Sequence, residues 1–123
     1  MLDTSILIDY FRKTDKSKSR LVHLSREFGQ IAISSVTEFE IYTGATIAQR
    51  SFWNSLLFEM MIIPFDSVAA HYAAEIQQNL RKNRCAIGEA ELFIATTAIA
   101  NEMSFDTLNK KHFERIDRLD LLK

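Results

Sequence analysis

Oxygen-bearing side chains stand at several points where this sequence predicts the end of a strand or the start of a helix. Asp3 ends the first predicted strand, and Asp106 and Asn109 follow a later one. Glu40 and Glu91 lie in the first turns of predicted helices. Because the polar site of a parallel α/β sheet lies at the carboxyl ends of its strands, we expect these side chains to meet at one sheet edge.

Such a cluster favours one kind of chemistry. Carboxylates gathered without lysines repel one another, and a hard divalent cation such as Mg²⁺ or Mn²⁺ relieves that repulsion. The same cation can activate a water molecule and stabilise negative charge on a phosphodiester. The sequence contains no glycine-rich phosphate loop, no Cys/His zinc spacing and no serine elbow. We therefore expect metal-assisted phosphodiester hydrolysis.

The elements that would position these acids alternate along the chain. Short β-prone runs are predicted at residues 1–3, 30–34, 60–65 and 103–106, with a further short strand near 118–121. Helices are predicted between them, one ended by Gly29 and one begun by Asp66. Alternation of this kind implies parallel pairing. The predicted fold is α/β: a single domain over 1–123, forming a three-layer α/β/α sandwich around a mainly parallel sheet of four to five short strands.

Composition agrees with an ordinary folded domain. The 123 residues are 47% hydrophobic and 25% charged, with a formal net charge of −1. The single cysteine, Cys85, cannot form an internal disulfide. No apolar run reaches the roughly 18 residues of a membrane span, and the amino-terminal residues lack the pattern of a signal peptide. These features predict a cytoplasmic protein that does not contact a membrane.

Positive charge is concentrated in three groups. Such groups can bind nucleic-acid phosphates, or they can be solvated loops and helix ends, and the sequence leaves both interpretations open. The groups are Arg12, Lys13, Lys16, Lys18 and Arg20; Arg81, Lys82 and Arg84; and Lys110, Lys111, Arg115 and Arg118.

Four stretches of the sequence resemble, in order, the motifs of the PIN-domain family. They are LDTSILI at residues 2–8, ISSVTEFE at 33–40, ELFIATTA at 91–98, and TLN at 107–109 with HF at 112–113. Together they span the chain from end to end. The chain is similar throughout to the toxin half of VapBC toxin–antitoxin pairs.

That resemblance implies a prokaryotic endoribonuclease of the VapC type, which cuts cellular RNA such as tRNA or rRNA with Mg²⁺ or Mn²⁺. It implies that Asp3, Glu40 and Glu91 hold the ion, while Asn109 or Asp106 orients a water molecule or the outer coordination sphere. It also implies a homodimer and a small VapB-like antitoxin that blocks the acidic pocket.

Three hydroxyls are expected just behind these ligands, on Thr4, Ser5 and Thr107. A hydroxyl there can donate a hydrogen bond to a ligating carboxylate and fix its orientation. For Thr107 a simple role in a turn is the competing interpretation.

Several residues have competing interpretations. Asp3 could serve only as a helix N-cap. Glu38 and Glu40 both fit a capping box, and we assign the cap to Glu38 and the metal to Glu40. Asp9 is expected on the outer face of its helix.

The histidines His23, His71 and His112 show no paired ligand spacing and are expected to be structural or surface residues. The aromatic side chains Phe52, Trp53 and Phe58 are expected in the core or in a subunit interface rather than in base stacking.

Two alternative functions remain at this stage. The family usually has aspartate where this chain has Glu91, whose carboxylate reaches roughly one C–C bond length, about 1.5 Å, further. A catalytically weakened or inactive RNA- or protein-binding module of the same fold is therefore possible. A haloacid-dehalogenase-type phosphatase also begins with an aspartate after its first strand, but it needs a second aspartate where this chain has Ser5.

Overall fold

The computed structural model describes residues 1–123. Seven α-helices surround a small parallel sheet, with 3₁₀ turns at Lys16–Lys18 and Ile47–Gln49. The helices are α1 (Thr4–Arg12), α2 (Arg20–Phe28), α3 (Ser35–Gly44), α4 (Arg50–Phe58), α5 (Ser67–Lys82), α6 (Glu89–Ala100) and α7 (Lys110–Phe113). The strands are β1 (Ala32–Ser34) and β2 (Met61–Ile63).

The sheet extends beyond its two regular strands through single-residue bridges. β1 pairs with β2 in parallel, with Ile33 opposite Ile62. Leu2 bridges Ile33 on one side and Asp106 on the other, and Phe105 bridges Leu121, all in parallel. The spatial order is therefore β2, β1, the Leu2 segment, the 105–106 segment and the Leu121 segment. Chain order reverses direction at the Leu2 segment, which is where doubly wound sheets open a crevice for ligands.

The α/β sandwich with a parallel sheet is confirmed, but the prediction of four to five strands is only partly correct. Two three-residue strands form, and the other predicted strands contribute one or two residues each. The first is short because Asp3 already occupies the N-cap of α1, so helical geometry begins at Thr4. Near Thr107 the strand ends in a turn, in which the Thr107 hydroxyl accepts from the backbone N–H of Asn109 at 3.0 Å.

The predicted helix ends at Gly29 and Asp66 are confirmed. Gly29 follows α2 with φ of 76°, a conformation in which glycine meets no Cβ penalty. The Asp66 carboxylate accepts from the backbone N–H of Ala69 at 3.0 Å and caps α5. At α3, however, the side chain of Ser34 is the cap, through a 3.0 Å bond from Val36 N–H. The prediction that Glu38 caps α3 is therefore wrong, because Ser34 caps this helix.

Two hydrophobic clusters correspond to the two helical layers. The first joins α5, α6 and α7 around Phe105 and Phe113, whose rings lie 4.9 Å apart. The second joins α1, α2 and α4 around Leu2 and Ile33 and includes the buried Trp53. Trp53 is thus a core residue as predicted, whereas Phe58 is 87% exposed. None of the helices is long and apolar enough to cross a membrane.

Candidate active site

An open cleft lies at the carboxyl edge of the sheet, beside the point where the chain order reverses. It has a volume of about 940 Å³ and is lined mostly by polar and charged residues. Four of the side chains predicted from the sequence line it, namely Asp3, Glu40, Glu91 and Asn109. The remaining walls come from α1, from the start of α6 and from Leu108.

Asp3 lies at the floor of this cleft and is only 4% exposed. Its carboxylate does not cap α1. Instead Oδ2 accepts hydrogen bonds from the hydroxyls of Ser5, at 2.7 Å, and Thr107, at 2.8 Å. Both donors are neutral, so no cation pairs with this carboxylate, and Oδ1 forms no hydrogen bond. The N-cap interpretation of the Asp3 side chain is excluded, although the residue does occupy the N-cap position.

A second hydroxyl network orients Glu40. Thr4 donates to Glu40 Oε1 at 2.7 Å, and the Thr4 hydroxyl also lies 3.1 Å from that of the buried Thr37. Thr4 and Ser5 are the first two residues of α1, so this one helix start supplies a hydroxyl to Asp3 and another to Glu40. Glu38 lies two residues away on α3 and does not line the cleft. The structure thus brings Glu40, and not Glu38, to the site.

Glu91 enters from the first turn of α6 and has a different partner. Its Oε2 accepts from Nδ1 of His112 at 3.0 Å, and its side chain is 28% exposed. Its other oxygen packs against Gly88, where an added Cβ would lie 3.0 Å from Oε1. Glycine at position 88 therefore leaves the room that this longer acid occupies.

Asn109 reaches the cleft from the turn after the 105–106 segment. Its side chain is exposed and forms no hydrogen bond, while its backbone N–H is held by Thr107. Thr107 also donates to Asp3, so one buried hydroxyl fixes both Asp3 and the turn that presents Asn109.

Asp106 does not belong to this site. It is 1% exposed and lies outside the cleft, with both oxygens in ion pairs. Arg20 Nε lies 2.6 Å from Oδ2, and Lys110 Nζ lies 3.0 Å from Oδ1. The hypothesis that Asp106 supplies charge to the site is corrected, because two cations already neutralise this carboxylate.

Sequence reasoning missed three features of the cleft. Asp9 was expected on the outer face of α1 but lines the cleft, where it pairs with Lys13 at 3.1 Å. His112 has no paired ligand spacing and was expected to be a structural or surface residue, yet it contacts Glu91. Its position in the fourth motif could have indicated that it lies near the site. Gly88, three residues before Glu91, was the third, and only the packing reveals its importance.

The donor set suits a hard divalent cation in type but is not fully gathered. The three carboxylates predicted as ligands and the amide of Asn109 line one cleft, and oxygen ligands are those that Mg²⁺ and Mn²⁺ prefer. No group of three acidic, histidine or cysteine side chains lies close enough to share one ion in this arrangement. Of the three carboxylates, Glu91 is the one bonded to a histidine, His112.

Comparison with known proteins decides the family. The sequence model described as "PIN domain" matches residues 1–119 of this chain. The chain belongs to the PIN-domain family. This PIN domain is 35% identical to "Ribonuclease VapC1" of Methanocaldococcus jannaschii, over 98% of this chain and 83% of that protein. It is 28% identical to "tRNA(fMet)-specific endonuclease VapC" of Shigella flexneri, over 97% of this chain and 92% of that protein.

The fold of this PIN domain also matches a solved toxin–antitoxin complex. The structure is that of VapBC2 from Rickettsia felis bound to a DNA fragment from its promoter. The match has a TM-score of 0.87 at 30% sequence identity and covers 99% of this chain and 96% of the other. The resemblance stated from the four sequence motifs is therefore confirmed.

Proposed function

We propose that this chain is a divalent-metal-dependent endoribonuclease of the VapC type, which hydrolyses phosphodiester bonds of cellular RNA in a prokaryotic cytoplasm. The observation that supports this most directly is the meeting of Asp3, Glu40 and Glu91 around one open cleft at the sheet's switch point. The ribonuclease names of relatives aligned over nearly the whole chain support the same function.

In this proposal Asp3, Glu40 and Glu91 would hold Mg²⁺ or Mn²⁺. A bound ion of this class provides a nucleophilic water at neutral pH and stabilises charge on the phosphate. Ser5 and Thr107 orient the Asp3 carboxylate, and Thr4 orients that of Glu40. Asn109, exposed and without a hydrogen bond, is placed to orient the attacking water or a phosphate oxygen.

The partners follow from the same site. We propose a small VapB-like antitoxin that inhibits the chain by placing an arginine or lysine in the acidic cleft, and a homodimer as the assembled toxin. The fold match to VapBC2 from Rickettsia felis supports a VapB-like partner. Charge-assisted bonds from the inserted cation would compete with the metal. The affinity for Mn²⁺ should therefore be lower in the complex than in the free chain, and equal affinities would contradict this mechanism.

A metal-titrated cleavage assay tests the proposed function. The chain should cut single-stranded RNA with Mn²⁺ or Mg²⁺ and stop when the ion is chelated. Glu40→Gln should lose activity, whereas Glu38→Gln, two residues away on the same helix but outside the cleft, should retain it. Equal activity of these two variants would contradict the assignment of Glu40.

A catalytically weakened binding module remains the second candidate, and one observation favours it. Glu91 is held by His112, and no three acids share one ion position. If wild type binds RNA without cutting it while Glu91→Asp cuts in the presence of metal, the present chain is the weakened form. If wild type cuts and Glu91→Asp does not improve it, the second candidate is excluded.

A further inference from the structure

The cleft continues away from the three acids along the exposed side of α1. Ser5, Ile8, Asp9 and Arg12 follow one another along its wall. With a rise of about 1.5 Å per residue, the step from Thr4 to Arg12 measures about 12 Å. One end of the cleft is therefore formed by the acids, and the other by the last turn of α1.

The two ends differ in charge. Five carboxylates and two cations, Arg12 and Lys13, line the whole cleft. Lys13 is already paired with Asp9 at 3.1 Å. Arg12 is exposed and forms neither an ion pair nor a hydrogen bond, so its guanidinium is the only unpartnered cation of the cleft.

We propose that Arg12 binds a backbone phosphate of the substrate strand, at a position other than the one that is cut. The inference rests on the proposed function, since it requires RNA in this cleft. A guanidinium offers parallel N–H donors that match two phosphate oxygens. Because about 12 Å of helix separates Arg12 from the start of the site, Arg12 is expected to meet a phosphate of the same strand other than the scissile one. The competing role is that of a cation that only stabilises the carboxyl end of α1.

RNA binding as a function of salt separates these roles. The probe is a labelled oligouridylate of about 12 nucleotides, measured by fluorescence anisotropy in Ca²⁺, with RNA integrity checked on a gel. Losing one phosphate contact should weaken binding of Arg12→Gln roughly three- to tenfold at low salt, and should reduce the slope of log K against log salt by about 0.7. Arg12→Lys should keep the slope, because it retains the charge.

Arg26→Gln is the matched control for net charge. Arg26 is also an exposed arginine without an ion pair, but it lies on α2 near Phe28, which lines a groove at the opposite edge of the sheet. Its slope and affinity should equal those of wild type. Thermal unfolding of all variants should show folded proteins, since both side chains are exposed.

A probe with single neutral methylphosphonate linkages tests the contact itself. A neutral linkage at one position of the probe should weaken its binding to wild type. The same probe should bind Arg12→Gln as tightly as the unmodified RNA does. If Arg12→Gln matches wild type in slope and responds equally at every linkage, Arg12 touches no phosphate and the inference is overturned. If the slope change appears but no metal cuts the RNA, the phosphate contact holds and the nuclease proposal fails instead.

Discussion

Asp3 and Asp106 lie side by side on neighbouring strand segments of the same sheet, yet their carboxylates have opposite surroundings. The backbone N–H of Asp3 donates to the carbonyl of Asp106 at 2.9 Å, and both side chains are almost fully buried. Asp3 receives two neutral hydroxyls, whereas Asp106 receives Arg20 and Lys110. A carboxylate surrounded by hydroxyls keeps its charge available for a ligand. One that is neutralised by two cations serves the fold.

Removing the charge of Asp3 should have the largest effect on cleavage and tests most directly whether the two aspartates differ in role. We expect Asp3→Asn to reduce metal-dependent RNA cleavage at least about a hundredfold, since a ligand of the ion is lost. Stability should change little, because the amide can still accept from Ser5 and Thr107. Cleavage rates and urea unfolding measure the two effects. Unchanged cleavage would show that Asp3 is as structural as its neighbour.

The matching substitution at Asp106 should affect stability and leave cleavage nearly unchanged. Asp106→Asn leaves Arg20 and Lys110 without their carboxylate, and we expect it to lower the free energy of unfolding by about 1–3 kcal/mol. The two cations are more than one third exposed, so water offsets part of the loss. Cleavage by the folded fraction should stay within a few-fold of wild type. A loss of cleavage with unchanged stability would return Asp106 to the site.

The hydroxyls that donate to Asp3 are what distinguish its surroundings from those of Asp106, and removing one of them tests their role. Removing the donor with Thr107→Val should lower cleavage roughly 10- to 100-fold, the range typical of residues that orient a metal ligand. The same variant should weaken Mn²⁺ binding measured by calorimetry. Ser104→Ala is the control, because the Ser104 hydroxyl bonds to the exposed Asp120. Equal metal affinity in wild type and Thr107→Val would contradict the orienting role.

The surroundings of the Glu91 carboxylate differ from those of both aspartates. One oxygen bonds to a histidine, His112, and the other packs on Gly88. Gly88→Ala places a Cβ 3.0 Å from Glu91 Oε1, which forces the carboxylate to shift. We expect a few-fold change in cleavage, the smallest effect of the four, because a shift of a few tenths of an ångström lies within the tolerance of about 0.5 Å for such sites.

Adding Glu91→Asp to Gly88→Ala should remove that effect, because the shorter side chain withdraws from the new methyl group. The two single variants and the double variant form a mutant cycle. If the effects of the two substitutions simply add, Gly88 does not act through Glu91.

Much of the site could be predicted because it follows from where strands end. Asp3, Glu40, Glu91 and Asn109 line one cleft at the sheet edge, as parallel pairing and the carboxyl-edge rule predict, although the three acids do not share one ion position. Gly29 and Asp66 were predictable because helix ends have local chemistry.

The direction of individual side chains could not be predicted in the same way. Asp106 and Asp3 look alike in sequence, and one of the two cations that distinguish Asp106 in the structure is Arg20, 86 residues away. Glu38 and Glu40 lie two residues apart on a helix and so face different sides, and the packing of α3 decides which one meets the cleft. The contact of Glu91 with His112 likewise joins parts of the chain that local patterns do not connect.

The bond between Thr107 and Asp3 closes a loop of 104 residues. The carbonyl of Phe105, two residues before Thr107, is in turn held by the backbone N–H of Leu122. A growing polypeptide that has exposed Asp3, Glu40 and Glu91 still lacks Thr107, which orients Asp3, and Leu122, which holds the segment before Thr107. Full cleavage activity should therefore appear only after these late segments have been synthesised and have folded against the amino-terminal strand.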